Sequence, residues 1–225
     1  MSRLGALYDS SVGKKFVMAL SGVILVGYVI VHMLGNLKVY QGPEAFNHYA
    51  EGLRDLGSPF FGRGQVLWIL RLLLLAAVSV HIVSAAQLWL KSRSARPIAY
   101  KNYDSLAFSY ASRTMVWGGI IILLFVIYHL MHLTFGNAHP DFVPGDVYRN
   151  FLVGFRQWPV SIAYIAAMIP LGFHLYHGVW SMFQTLGANN AKYNRFRRPL
   201  AGAIALVVVL ANISFPIAVL TGILT

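Results

Sequence analysis

The 225-residue chain contains no cysteine, which excludes disulfides, thiolate-held iron–sulfur clusters and any covalent Cys-x-x-Cys-His attachment. Acidic residues are scarce too, seven Asp and Glu against eighteen Lys and Arg. None of the seven lies in the long apolar runs, so a carboxylate proton relay through a membrane, the device of pumps and antiporters, is not expected. Charged residues of both signs make up 11% of the chain against 57% apolar, a balance that excludes an ordinary soluble domain. A single all-α integral membrane domain is expected.

Five runs are long enough to cross a bilayer core of about 30 Å, over residues 16–39, 65–90, 114–135, 158–186 and 200–224. An odd number of spans puts the termini on opposite sides. Arg3, Lys14, Lys15, Lys91, Arg93, Arg96, Lys101, Arg113, Lys192, Arg195, Arg197 and Arg198 gather on one side, while only Lys38, Arg54, Arg63, Arg149 and Arg156 lie on the other. This asymmetry predicts a multi-pass protein of the cell inner (cytoplasmic) membrane with the N-terminus in the cytoplasm and the C-terminus outside. The formal charge of +11 is thereby accounted for by topology and by contact with anionic membrane lipid, and nucleic-acid binding is not expected. The first run is too long for a cleavable signal and has no small-residue cleavage site.

In the first outer loop, Pro43 precedes Ala45, Phe46, Tyr49, Ala50 and Leu53 on one face, which predicts a short helix lying on the outer surface. A weaker version of that pattern runs through 147–155. Pro159 and Pro199 are expected at helix starts, whereas Pro170 and Pro216 fall inside spans and should bend them.

Six histidines occupy the apolar runs: His32, His81, His129, His132, His174 and His177. An imidazole removed from water without a partner costs roughly 2–7 kcal/mol, so several on successive spans point to a shared ligand, most simply haem iron. Without cysteine such a haem is of the non-covalent b type. At about 1.5 Å of rise per residue, distance from the cytoplasmic span ends estimates depth. His32 lies 17 residues from Lys15 and His129 lies 16 from Arg113, a level toward the outer face. His81 lies 10 from Lys91, and His174 and His177 lie 13 and 10 from Gly187, a level toward the cytoplasm. Two levels on alternating spans describe a four-helix bundle holding two stacked haems, each iron bound by two imidazoles. Within the pairs His129/His132 and His174/His177 the spacing leaves the ligand open: depth favours His129 in the first and slightly favours His177 in the second.

Eleven residues make almost three turns, so Ser21 before His32 and Gly118 before His129 fall on the ligand faces at the inner level, where a flat porphyrin needs small side chains. Tight helix packing is the plainer reason for small residues in a membrane. Arg71 is the single charge well inside a span, at a cost of at least about 2.5 kcal/mol near the bilayer centre. It lies ten residues outward of His81, at the outer level, where a haem propionate is its natural partner and snorkelling to the interface the alternative.

Taken together, Val31-His32-Met33-Leu34-Gly35-Asn36, Ser79-Val80-His81, Tyr128-His129-Leu130-Met131-His132 and Phe173-His174-Leu175-Tyr176-His177-Gly178-Val179-Trp180-Ser181 resemble the single-chain, five-span, di-haem cytochrome b anchor of succinate:quinone oxidoreductases, the succinate dehydrogenases and fumarate reductases. The resemblance runs from about Tyr8 to the C-terminus and rests on the order and spacing of the four motifs. It implies that His32 and His129 ligate an outer haem b and His81 and His174 an inner one, leaving His132 and His177 beside a propionate or a quinone. It also implies a flavoprotein subunit that interconverts succinate and fumarate, an iron–sulfur subunit that relays the electrons, and delivery through the haems to membrane quinone. Some quinol-oxidising relatives place a glutamate two residues before the fourth-span ligand. Gly172 stands there in this chain, so proton return by that route is not implied.

No flavin-binding Gly-x-Gly-x-x-Gly loop and no cluster cysteines are present, so both partners are separate chains. Residues 91–101 and 192–198 offer a basic surface to the iron–sulfur subunit. For the quinone, menaquinone or ubiquinone, the polar groups Lys14, Lys15, Ser21, Arg113 and Thr114 cluster at the cytoplasmic ends of the first and third spans. Two other readings stay open: a b-type cytochrome subunit of a hydrogenase or formate dehydrogenase, and a haem-free membrane transporter or scaffold.

Overall fold

The computed structural model describes residues 8–95, 110–188 and 190–225, with only the backbone of 110–113 and 191. Arg3, Arg96, Lys101 and the side chain of Arg113 lie outside the described residues. Every regular element among them is helical. In chain order these are α1 Ser11–Asn36, a 3-10 turn Leu37–Gln41, α2 Pro43–Gly52, α3 Gln65–Ser94, α4 Tyr110–His129 continued by a π-helical turn Leu130–Thr134, α5 Val147–Arg156, α6 Trp158–Thr185 and α7 Ala191–Leu220. Five of them, α1, α3, α4, α6 and α7, are long and apolar enough to cross a membrane.

Local chemistry explains most boundaries. The Ser10 hydroxyl accepts from the Gly13 N–H at 2.9 Å and starts α1. Gly42, at φ +95°, ends the 3-10 turn where an L side chain would be strained, and Pro43 opens α2 with φ already set. Asp146 caps α5 by accepting from the Arg149 N–H at 3.1 Å, and Pro159 stands in the first turn of α6.

The last span departs from expectation at both ends. Pro199 lies inside α7, which begins at Ala191 and not near residue 200. Its ring forgoes one helical hydrogen bond, but the turns before it pack on the end of α6: Arg197 is buried and the Arg198 guanidinium lies 4.9 Å above the Trp180 ring. Tertiary contact thus extends the helix through a residue whose local signal is a start. At the other end α7 stops at Leu220, because Gly222 turns at φ +75° and the Ile223 and Leu224 N–H groups fold back onto the Ala218 carbonyl.

Helix α6 is the centre of the molecule, packed against α7, α4 and α1, while α3 packs on α1. Helices α3 and α4 scarcely meet. The two short helices lie side by side at one end of the spans, which we call the capped face. Phe46 of α2 meets Phe151 of α5 edge-on at 5.8 Å. Asn47 ties them further, donating to the Asp146 carboxylate at 3.0 Å and accepting from the Tyr148 N–H at 2.9 Å. The α5 pattern, weaker than that of α2 in the sequence, belongs to the more deeply packed helix: Tyr148, Phe151, Leu152 and Phe155 join Tyr164, Phe215 and Val219 in the main apolar core.

Candidate functional site

The spans bring four histidines into two facing pairs. His32 of α1 and His129 of α4 stand 5.8 Å apart between ring centres and nearly perpendicular. His81 of α3 and His174 of α6 stand 6.2 Å apart. Gly119 of α4 is level with the second pair, since a Cβ built there would lie 3.9 Å from His174 Cε1. His129 comes ten residues later, so the pairs are separated by about 15 Å along α4.

Within each doublet one ring faces a histidine of another span and the other does not. His129 meets His32, whereas His132 stacks on Tyr128 at 5.6 Å and on His139 at 5.0 Å, fully buried at the π-turn. His174 meets His81, whereas the His177 ring lies against Trp180 at 5.7 Å.

Hydrogen bonds orient the rings. His81 Nδ1 sits 3.2 Å from the Met18 carbonyl. A carbonyl can only accept, so Nδ1 carries the proton and Nε2 keeps its lone pair. Ser21 stands beside it, its hydroxyl 3.3 Å from His81 Nδ1 and hydrogen-bonded to the Val17 and Met18 carbonyls. The Tyr164 hydroxyl lies 3.3 Å from His129 Nδ1 and 3.0 Å from His132 Nδ1. His32 stacks on Tyr28 at 5.4 Å. The Nδ1 atoms of His174 and His177 are buried and have no hydrogen-bond partner among the described residues.

Of the two small residues expected at the level of His81 and His174, Ser21 meets His81 and Gly118 does not meet His174 most closely. A Cβ on Gly22 would lie 3.7 Å from His81 Cε1, and Gly119 faces His174, while Gly118 packs on Pro170. On α4 the shift by one residue follows from direction: His174 reaches in from α6 and meets the flank of α4, not the face that carries His129, whereas on α1 His81 meets both Gly22 and Ser21.

Arg71 is exposed on α3, its guanidinium 4.9 Å above the Trp68 ring. It is close enough to interact electrostatically with Tyr28, the residue stacked on His32.

Of the polar groups expected to bind quinone, those among the described residues do not line one groove together. Lys14 is buried, 3.6 Å from Asp9 and 4.1 Å above the Tyr8 ring, and Lys15 is exposed. Thr114 lines a groove of about 620 Å³ between α4 and α6, together with Gly118, Tyr128, Pro170 and His174, to which Lys14, Lys15 and Ser21 of α1 contribute nothing.

Sequence reasoning missed Tyr164, Gly22, Gly119 and the Met18 carbonyl. For Tyr164 a signal existed: it precedes His174 by ten residues on α6, about 15 Å of rise, which puts its hydroxyl at the level of His129. The Met18 contact had none, because every helical residue has a carbonyl. No protein-family model, curated protein or solved structure matches the chain.

Proposed function

We propose that the chain is the membrane-anchor cytochrome b subunit of a succinate:quinone oxidoreductase, carrying electrons between a partner iron–sulfur subunit and membrane quinone through two non-covalent b haems. The reading rests on the resemblance of its four histidine motifs. The observation that carries the haem part is the two facing imidazole pairs, one histidine from each of four spans.

The residues fit that group. Metal–imidazole bonds of about 2.0–2.1 Å put two opposing ring centres roughly 6.3 Å apart, close to the 5.8 and 6.2 Å found. Two imidazoles alone make a poor metal site, and no group of three or more His, Cys, Asp or Glu side chains gathers among the described residues. A pair suits a metal that brings its other ligands with it, as a porphyrin does. Gly22 and Gly119 set no side chain of their own against His81 and His174.

When bound, each haem supplies a one-electron iron centre. His32 with His129 would hold one haem iron, and His81 with His174 the other. The Met18 carbonyl fixes the tautomer that leaves His81 Nε2 available. Arg71 offers a guanidinium to a propionate of the outer haem. At the end of the spans opposite the capped face, exposed Lys91, Arg93, Lys192, Arg195 and Arg198 form the basic surface for the iron–sulfur subunit, with the N-terminus in the cytoplasm.

The deciding experiment is purification of the intact complex from membranes, with haem counted by pyridine haemochrome and reduction by succinate followed in the visible spectrum. Two b haems per chain, reduced by succinate, is the expected result. Haems reduced by formate or hydrogen and not by succinate would assign the chain to another membrane oxidoreductase. A preparation without haem would overturn the reading.

A further inference from the structure

One hydroxyl serves two histidines at the outer level. Tyr164 Oη lies 3.3 Å from His129 Nδ1 and 3.0 Å from His132 Nδ1, yet a phenol has a single proton to give. One imidazole must therefore donate to it. If His132 donated, the Tyr164 proton would go to His129 Nδ1, and the neutral His129 would carry its own proton on Nε2. That nitrogen could then bind no metal. The opposite order leaves His129 Nε2 free: His129 Nδ1–H donates to Tyr164 Oη, and Tyr164 O–H donates to His132 Nδ1.

We propose that Tyr164 is the positioning residue of the outer haem, holding His129 in its ligating tautomer by a hydrogen-bonded relay anchored on His132. The proposal rests on the di-haem reading above.

The surroundings make the relay rigid. Tyr164 is buried and met edge-on by Phe155 at 4.8 Å and by Phe125 at 5.0 Å. His132 is clamped between the Tyr128 and His139 rings, and a Cβ on the facing Gly154 would come within 2.7 Å of its Cε1. His139 is itself fixed, since its Nε2 donates to the Asn150 carbonyl at 2.8 Å and its Nδ1 accepts from the Asp141 N–H at 3.0 Å. The i→i+5 bond from the Phe135 N–H to the Leu130 carbonyl, 2.8 Å, closes the π-turn that carries His132, and such turns recur at functional sites. Among the described residues nothing equivalent serves the inner pair, where His81 uses a backbone carbonyl and His174 Nδ1 meets no hydrogen-bond partner.

The difference between the pairs supplies the test. Tyr164→Phe keeps the ring and removes both hydrogen bonds. A ligating histidine whose N–H loses its acceptor becomes a weaker base, so it supports ferric iron less well. In the purified Tyr164→Phe complex, a potentiometric titration should show the outer haem midpoint displaced upward and the inner one unmoved. Low-temperature EPR should show a shifted low-spin signal for the outer haem only. His132→Leu removes the anchor alone and should move the outer signals in the same direction by less. Loss of the outer haem with retention of the inner also supports the proposal, because the retained haem shows the fold intact. If the wild type holds two haems and both midpoints and EPR signals survive Tyr164→Phe unchanged, the proposal is overturned while the di-haem reading stands. A wild type without haem overturns both at the haem assay.

Discussion

Gly22 of α1 faces His81 of α3 so closely that a Cβ would lie 3.7 Å from the imidazole Cε1, and His32 follows ten residues later on the same helix. Gly119 and His129 repeat the arrangement on α4, with His174 as the imidazole faced. Each of these helices therefore carries a histidine at one level and a glycine beside the other helices' histidines about 15 Å away.

A methyl group at Gly119 is at ordinary contact distance from His174, whereas a longer side chain enters the space beside the ring. Gly119→Ala should leave two haems per chain, and Gly119→Leu should leave one, the outer. Haem content with EPR of the purified variants measures this; two haems in Gly119→Leu would show that the inner porphyrin does not pass this flank.

Because His174 and not His177 meets His81, His174→Leu and His81→Leu should each halve the haem content and block succinate-dependent reduction of the remaining haem. His177→Leu should retain both haems. Pyridine haemochrome assays on the three variants distinguish the assignment, and loss of a haem in His177→Leu alone would reverse it.

Arg71 is close enough to interact electrostatically with Tyr28, which stacks on His32. Removing a positive charge there favours ferric over ferrous iron, so Arg71→Leu should lower the midpoint of the outer haem and disturb the inner one less. A redox titration resolving the two decides; unmoved midpoints would mean that the guanidinium turns to the interface, over Trp68, and meets no propionate.

Asn47 makes two hydrogen bonds that join α2 to α5. At about 0.5–1.5 kcal/mol each, their loss in Asn47→Ala should destabilise the capped face by about 1–3 kcal/mol. The thermal midpoint of the detergent-solubilised protein should fall by a few degrees with haem content unchanged at low temperature.

Five apolar runs, the short amphipathic stretches between them and the two depths of the histidines are all legible in the sequence. The transfer free energy of each side chain and the rise of a helix are local properties that a linear reading can sum. Counting from the basic span ends puts His32 level with the His129/His132 doublet and favours His129 without deciding between the two.

Rotation of each helix about its own axis is another matter, since it is set by side chains that other helices bring. That His174 and not His177 meets His81, that Gly119 and not Gly118 faces His174, and that the Tyr164 hydroxyl reaches His129 all depend on it. So does the start of α7, where Arg198 packing on Trp180 carries a helix through Pro199. The His81 tautomer depends on one carbonyl, Met18, singled out among identical neighbours only because α3 packs there on α1.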